Sequence, residues 1–347
     1  MTFPASPRAS LILLAYNQER TIRRAAESCL AQDCEPIEIV LSDDASNDNT
    51  FAILRELAAN YGGPHRVRVR RNATNVGIGE HYNRLLAETS GKLLVTAAGD
   101  DYSLPRRVGT LLAAWDATRQ RADLIASHVV DLDHDGELHG VLRVDDLSGY
   151  RSASDWALRR PHVIGAGHAF TRRLMRRFGP LARGVFYEDQ IMVFRAIASG
   201  GALTVDEPLV HYRRGGTSDR PEFESAAARR HWAERQIARE SAEMHQLLAD
   251  SRVARCEPLV RAHLGKRFAR TAFLDRINAS SDRADLWAAY EEAASLPRSW
   301  RLRKMSHVAY PRTSLLVRSL IDEFRALRHN VASVGRQGLT PKASAHR

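Results

Sequence analysis

Residues 92–105, KLLVTAAGDDYSLP, constrain the fold of this chain more than any other stretch. The apolar run from Lys92 to Ala98, bounded by Gly91 and Gly99, reads as a short strand buried on both faces, the habit of a central strand in a parallel sheet. It ends in two adjacent carboxylates, Asp100 and Asp101. In open α/β sheets ligands bind at the C-terminal edge of the strands, and paired hard oxygen donors there suit a divalent cation carrying a phosphorylated substrate. Helix capping is the competing explanation, because an Asp and a Pro both have ordinary places in the first turn of a helix starting near Leu104–Pro105.

The same grammar recurs upstream. Ser10–Ala15 is an apolar strand ending at Tyr16-Asn17 and followed by a helical pattern over Glu19–Gln32. Ile37–Leu41 ends in the polar cluster Ser42-Asp43-Asp44-Ala45-Ser46, then comes a helix near Thr50–Tyr61 and a third strand at Val67–Arg70. Strands alternating with helices at this spacing predict an α/β fold with a doubly wound, largely parallel sheet. Asp44, just past its strand, has two readings: an acceptor for a nucleotide's base or ribose, or an Asx-turn. Asn75-Val76-Gly77-Ile78-Gly79 lacks the Lys-Ser/Thr of a P-loop and the third glycine of a dinucleotide fingerprint, so it reads as a turn admitting close backbone approach.

Downstream, a helix over Leu104–Thr118, a strand over Asp123–Val130 and a hairpin turn at Asp133–Gly136 are expected. A short helix follows over Ser152–Arg159. Pro161–Phe170 is interrupted by glycines, and its His162 and His168, without partners at ligand spacing, read as structural or exposed. Glu188-Asp189 opens a helix running to about Ser199, where two acids gain from the helix dipole; the functional reading makes one of them a general base at the mouth of a cleft. Leu203–Val205 and Leu209–Tyr212 read as two short strands. After them, Arg213-Arg214-Gly215-Gly216 either covers a diphosphate or is a solvated linker.

Charge separates the chain into parts. Of 51 Lys+Arg and 41 Asp+Glu, residues 220–347 hold 24 and 14, so the net +10 resides there and residues 1–219 are neutral with 27 of each. From about Pro221 the pattern becomes long helices, Glu224–Asp250, Glu257–Asn278, Asp282–Leu296 and Thr313–Leu327, with a tail from Val331 that reads as disordered. The basic helices either pack on their own protein or dock on an anionic membrane surface; no recognition motif accompanies the charge, which argues against nucleic acid. Three cysteines, Cys29, Cys34 and Cys256, offer neither a disulfide framework nor metal-type spacing, which fits a reducing compartment. The N-terminal residues carry no signal-peptide pattern and no stretch is long and apolar enough to span a bilayer. The expectation is a cytoplasmic chain, peripheral at the membrane if it meets one.

The order of these pieces is similar to a known family. The strand ending in Ala15-Tyr16-Asn17, the Ser42–Ser46 cluster, Asn75-Val76-Gly77, Asp100-Asp101 with Pro105, Gly165–Phe170 followed by Arg172-Arg173, and Glu188-Asp189 together resemble the family 2 glycosyltransferases of the GT-A fold, over about residues 8–215. The resemblance implies a GT-A domain over 1–215, Rossmann-like with a mostly parallel twisted sheet flanked by helices, followed by a basic helical region over 216–330 and a tail over 331–347. It implies that Tyr16 and Asp44 hold the nucleotide base, that Asp100 faces the ribose or metal shell, and that Asp101 ligates Mg²⁺ or Mn²⁺ on the donor diphosphate. Asp189 becomes the catalytic base of an inverting transfer, needing no large pKa shift, with Glu188 shaping the acceptor side. The family often carries another acid where this chain has Ala98; His211 is the candidate extra ligand, though softer than Mg²⁺ prefers. The implied partners are a nucleotide-sugar donor and a saccharide or lipid-linked saccharide acceptor, as in surface polysaccharide or glycolipid biosynthesis. A nucleotidyltransferase would need a Gly-rich basic loop after the first strand, which Tyr16-Asn17-Gln18-Glu19 does not supply; a non-catalytic carbohydrate-binding relative would be expected to lose the acids.

Overall fold

The computed structural model describes residues 7–215 and 225–309. Four parallel strands form one half of its sheet: β1 (Ala9–Ala15), β2 (Glu38–Asp43), β3 (Arg66–Arg71) and β4 (Leu93–Ala98), in the order β3-β2-β1-β4. Helices α1 (Ile22–Leu30), α2 (Thr50–Ala59) and α3 (Ile78–Glu88) make the crossovers. The inner strands are buried along nearly their whole length, whereas β3, at the edge, alternates Arg with Val and lays Arg70 against Glu88 at 3.0 Å. In α1 the buried residues are Ile22, Ala25, Ala26 and Cys29, the 3–4 spacing of one helix face against a sheet. At Gly91, entering β4, a Cβ would stand 2.3 Å from the backbone nitrogen of Ser10, so only glycine lets the strands approach there.

The other half is mixed. After the short β5 (Tyr102–Ser103) and α4 (Arg107–Ala117), β6 (Leu124–Leu132) turns through Asp133–Gly136 into β7 (Leu138–Leu142), the expected hairpin. Helix α5 (Ala153–Leu158) leads to β8 (Ala169–Thr171), which inserts antiparallel between β4 and β6. Then follow α6 (Arg172–Phe178), α7 (Glu188–Ser199) and β9 (Ala202–Arg213), parallel to β6 and antiparallel to β5. The two short strands expected at Leu203–Val205 and Leu209–Tyr212 are one. The register against β6 shifts around His128, opposite Pro208, whose ring nitrogen cannot join the ladder; that irregularity is what the sequence displays as a gap. This curled mixed sheet with flanking helices is the GT-A fold.

The helices after β9 are α8 (Ala226–Val253), α9 (Glu257–Ala279), α10 (Arg283–Glu292) and α11 (Arg298–Ala309). The chain divides into two compact units, and residues 238–265 group with the sheet, whereas 222–237 and the residues from 266 onward form the second. The second unit has its own apolar cluster, including Phe273, Ile277, Leu286, Leu296 and Met305. The expected helix at Thr313–Leu327 and the tail over 331–347 lie outside the described residues. In the first unit, α8 buries Met244, Leu247 and Leu248 and sends Asp250 to Arg195 of α7, which donates from Nε at 2.7 Å and from Nη2 at 3.0 Å. Both side chains are sealed from water, at 0% and 1% exposure.

Removing one partner of such a pair strands a buried charge. Asp250→Ala is expected to cost about 3–5 kcal/mol in urea unfolding, and Arg195→Met with Asp250→Leu to recover most of that loss. Equal destabilisation by the single and double variants would contradict the pairing.

Candidate active site

Parallel strands place their ends on one edge, so Tyr16, Asp44 and Asp100-Asp101, each just beyond the end of β1, β2 or β4, emerge at the same side of the sheet. The loops there are laced together. Asn17 N–H donates to Ser46 Oγ at 2.8 Å, Gln18 N–H to Thr50 Oγ1 at 2.8 Å, and Asn17 Oδ1 accepts from Asn47 N–H at 2.9 Å. Asn17 and Ala45 both sit at positive φ, 52° and 63°, a conformation that non-glycine residues hold only when surrounding bonds over-determine it. Tyr16 presents an exposed ring, 43% accessible. Asp44 is buried, and its oxygens accept from Asn72 Nδ2 at 2.7 Å and from the Val76 and Gly77 N–H groups at 3.0 Å each. The carboxylate is therefore what closes the Asn75–Gly77 turn, with Gly77 at φ 77°.

Gly99 connects β4 to the acid pair, and a Cβ there would lie 2.3 Å from Gln18 Oε1. Asp101 is buried and accepts the Arg213 N–H at 2.9 Å, which ties the acid pair to the end of β9. Burial, and then the neighbouring Asp100, hold the Asp101 carboxyl well above the usual carboxylate range; burial also raises Asp100. Two neighbouring acids short of positive charge are the donor chemistry that a cation relieves. Mg²⁺ commonly takes only one or two protein carboxylates and completes its octahedron with phosphate and water. The residues thus fit an ion brought with a substrate diphosphate, and among the described residues no three His, Cys, Asp or Glu side chains gather to hold a metal by themselves. His211 stands across the ladder from Tyr102. Burial and then Arg24 lower its pKa, leaving the ring neutral near neutral pH. The Arg213 guanidinium donates to Tyr102 Oη at 2.7 Å and to the Asp133 carbonyl at 3.0 Å, while Arg214 pairs with Asp131.

The second acid pair opens α7. Glu188 and Asp189 line a small pocket together with Tyr82, Thr96, Gly165, His168, Phe170 and Met192. A Cβ on Gly165 would come 3.0 Å from the Asp189 Cβ, so the glycine-interrupted stretch brings its backbone against the acid. Asp189 Oδ1 accepts the Gln190 N–H at 2.7 Å. Burial pushes Asp189 up to about 6, and burial together with the Asp189 charge pushes Glu188 up to about 8. The expectation of an unshifted Asp189 is thereby corrected: the helix dipole favours the ionised form but does not replace the water that burial removes. At neutral pH one of the pair is mainly a base and the other mainly an acid, and they titrate as a pair.

Three contributors escaped the sequence. His168, expected to be structural or exposed, is buried in the cavity wall with Nε2 unpartnered, and burial takes it down to about 3. Arg107 is wholly buried and ties the site's frame, donating to Ser103 Oγ at 2.9 Å and to the Thr96 carbonyl at 2.7 Å. Glu243 on α8 pairs with Arg160 behind Asp189. A signal for the last existed: Glu243, Gln246 and Asp250 recur at helical spacing among Met244, Leu247 and Leu248, a polar stripe inside an apolar face.

The sheet thus carries one acid pair just beyond β4 and the protein a second, half-buried pair that lines a pocket. Residues 10–178, just under half of the chain, match the family model described as Glycosyl transferase family 2. The chain is 36% identical over 115 residues to "Putative glycosyltransferase EpsE" of Bacillus subtilis, covering 33% of this chain and 41% of that protein. It is 30% identical over 221 residues to "Succinoglycan biosynthesis protein ExoU" of Rhizobium meliloti, covering 59% and 61%. The matches thus span less than two thirds of either relative's length. In fold it is similar to S. aureus TarS 1-349, solved in complex with UDP-GlcNAc, with a TM-score of 0.50 at 16% identity, covering 87% of this chain and 90% of that one.

The raised pKa values make a stability prediction. A carboxyl whose folded pKa exceeds its unfolded value binds more protons folded than unfolded, so stability falls as pH rises between the two, here from 4.5 to about 8 for Glu188. Glu188→Gln removes that penalty. Its melting temperature is expected to exceed that of the unmodified chain at pH 8 and to converge with it near pH 4; a uniform offset across pH would contradict the assignment.

Proposed function

We propose that this chain is an inverting, divalent-metal-dependent glycosyltransferase that moves a sugar from a nucleotide-sugar donor to a hydroxyl of a saccharide or lipid-linked saccharide, in surface polysaccharide or glycolipid biosynthesis. One observation carries this reading: the half-buried Asp189 lines a pocket, and loss of water there pushes its pKa up to about 6, close enough to neutrality to be a strong yet ionised base. The family of residues 10–178 and the polysaccharide role named for ExoU support it.

In this mechanism Tyr16 offers its exposed ring to the base, and Asp44 acts through the turn it closes, shaping the same edge. Asp100 faces the ribose side. Asp101, with Asp100 beside it and His211 as a neutral imidazole nearby on β9, would hold Mg²⁺ or Mn²⁺, which when bound supplies Lewis-acid neutralisation of the departing diphosphate. Asp189 takes the proton from the acceptor hydroxyl, whose oxygen attacks the anomeric carbon opposite the leaving group, so that configuration inverts. Glu188, mainly protonated, donates a hydrogen bond on the acceptor side and leaves Asp189 as the only charged member of the pair. We place the enzyme in the cytoplasm or at the inner membrane face, with residues 216–330 as the basic region that meets anionic lipid; among the described residues no helix is long and apolar enough to cross a membrane.

The test is a panel of UDP-, GDP- and dTDP-sugars, with and without Mn²⁺, followed by thermal shift and diphosphate release. A Mn²⁺-dependent stabilisation lost in Asp101→Ala is expected, together with a turnover that falls about 10²–10⁴-fold in Asp189→Asn while donor binding persists. Full turnover in Asp189→Asn, or indifference to every donor, would overturn the reading.

A further inference from the structure

Behind Asp189, three stretches far apart in sequence meet. Arg160 follows α5, Gln190 is the residue after the acid on α7, and Glu243 comes from α8. Arg160 donates from Nε to Gln190 Oε1 at 2.7 Å and from Nη2 to Glu243 Oε1, and its guanidinium lies 5.9 Å from the centre of the Trp156 ring. Glu243 is 2% exposed and fixed on a helix whose Gln246 accepts the Ala182 N–H at 2.7 Å and whose Asp250 is clamped to Arg195. Arg160 is close enough for its charge to act on Asp189, yet among the described residues no cation forms an ion pair with that carboxylate. The charged and titratable groups facing Asp189 are Glu188 on its own helix, Arg160 after α5, Glu243 on α8, Tyr82 on α3 and His168 before β8.

We propose that Glu243 is a positioning residue: it holds the Arg160 guanidinium against Gln190 and so prevents it from closing an ion pair with the neighbouring Asp189 carboxylate. A guanidinium has five donors on a rigid fork and goes to the best-placed buried anion. With Glu243 charged, that anion is Glu243. With Glu243 neutral, the guanidinium still sits on Gln190, the residue after Asp189, and its charge already acts on that carboxylate; an Arg partner at contact distance lowers a carboxyl by about one to three units. The importance of this for turnover rests on Asp189 being the base; the placement of Arg160 does not.

The test therefore uses no donor or acceptor. In the full chain labelled with ¹³C at aspartate carboxyl carbons, NMR titration follows Asp189, its signal assigned by its loss in Asp189→Asn. Glu243→Gln is expected to lower the Asp189 midpoint by about one unit or more. The double variant Arg160→Gln with Glu243→Gln removes the freed cation as well and leaves no buried unpaired charge; because Arg160 acts on Asp189 more strongly than Glu243 does, its midpoint should rise above that of the unmodified chain. A purely structural Glu243 would lower the melting temperature and leave the midpoint unmoved, which overturns the proposal. Should the single variant not fold, a double-variant midpoint at or below that of the unmodified chain overturns it equally. Absence of turnover with every donor would defeat the transferase reading while leaving this titration able to stand.

Discussion

Taking a carboxylate out of water raises its free energy unless something replaces the water, and this chain does so repeatedly at one edge of its sheet. The buried acids fall into two groups according to what replaces it. Asp43 receives Ser46 and Arg71, Asp44 receives an amide side chain and two backbone N–H groups, and Asp250 receives a two-pronged guanidinium. These hold loops and helices in place. Asp101 receives the Arg213 N–H and Asp189 backbone N–H groups, yet burial raises Asp101, Glu188 and Asp189, as it also raises Asp250 despite its guanidinium. Among these raised acids, Glu188 and Asp189 are the pair that line the pocket.

The frame around these acids is itself polar, with Arg107 bonded through both terminal nitrogens while its buried Nε has no hydrogen-bond partner among the described residues. Arg107 reaches from the first turn of α4 to β4, β5 and the Gly165–Gly167 turn, which joins the two acid edges through one buried side chain. Burial outweighs the nearby acids and takes its pKa down to about 10, still far above neutrality, so it remains a cation in the wall between the two pairs. Glycines at 91, 99 and 165 remove side chains where backbone or a neighbouring group must come within contact distance. A site assembled from strand ends gains its precision from such contacts, because loops alone would not hold two acids at fixed depth.

Much of the sheet was legible because its inner strands are continuous apolar runs with polar residues at their ends, and parallel pairing then sends those ends to one edge. The placement of Asp44 and of Asp100-Asp101 beyond β2 and β4, at that edge, was legible for the same reason. Depth was not: Glu188-Asp189 at a helix start looks the same in sequence whether the helix begins in water or under a loop, so the rise of Asp189 to about 6 had no local sign. Asp44 illustrates the converse, since an acid after a strand can serve a ligand or its own chain, and only the positions of Asn72, Val76 and Gly77 show the bonds it makes. β9 was read as two strands because a local pattern cannot see that β6 bridges the irregularity at Pro208. The stripe that holds Glu243 was visible but its destination was not: more than fifty residues separate it from Asp189, and its helix pattern fits an independent appendage as well as a wall of the site.

The Arg195–Asp250 clamp has a bearing on modularity. The segment recognisable as a family ends at residue 178, yet α7, which carries the acids of the cavity, owes a sealed counter-charge to a helix that enters the chain only after β9. A chimera joined at the end of the sheet would inherit the segment that matches the family model and lose the groups that neutralise Arg195 and occupy Arg160. Recombination between relatives at that junction would therefore exchange, along with a seemingly separate helical extension, the electrical surroundings of the acid pair.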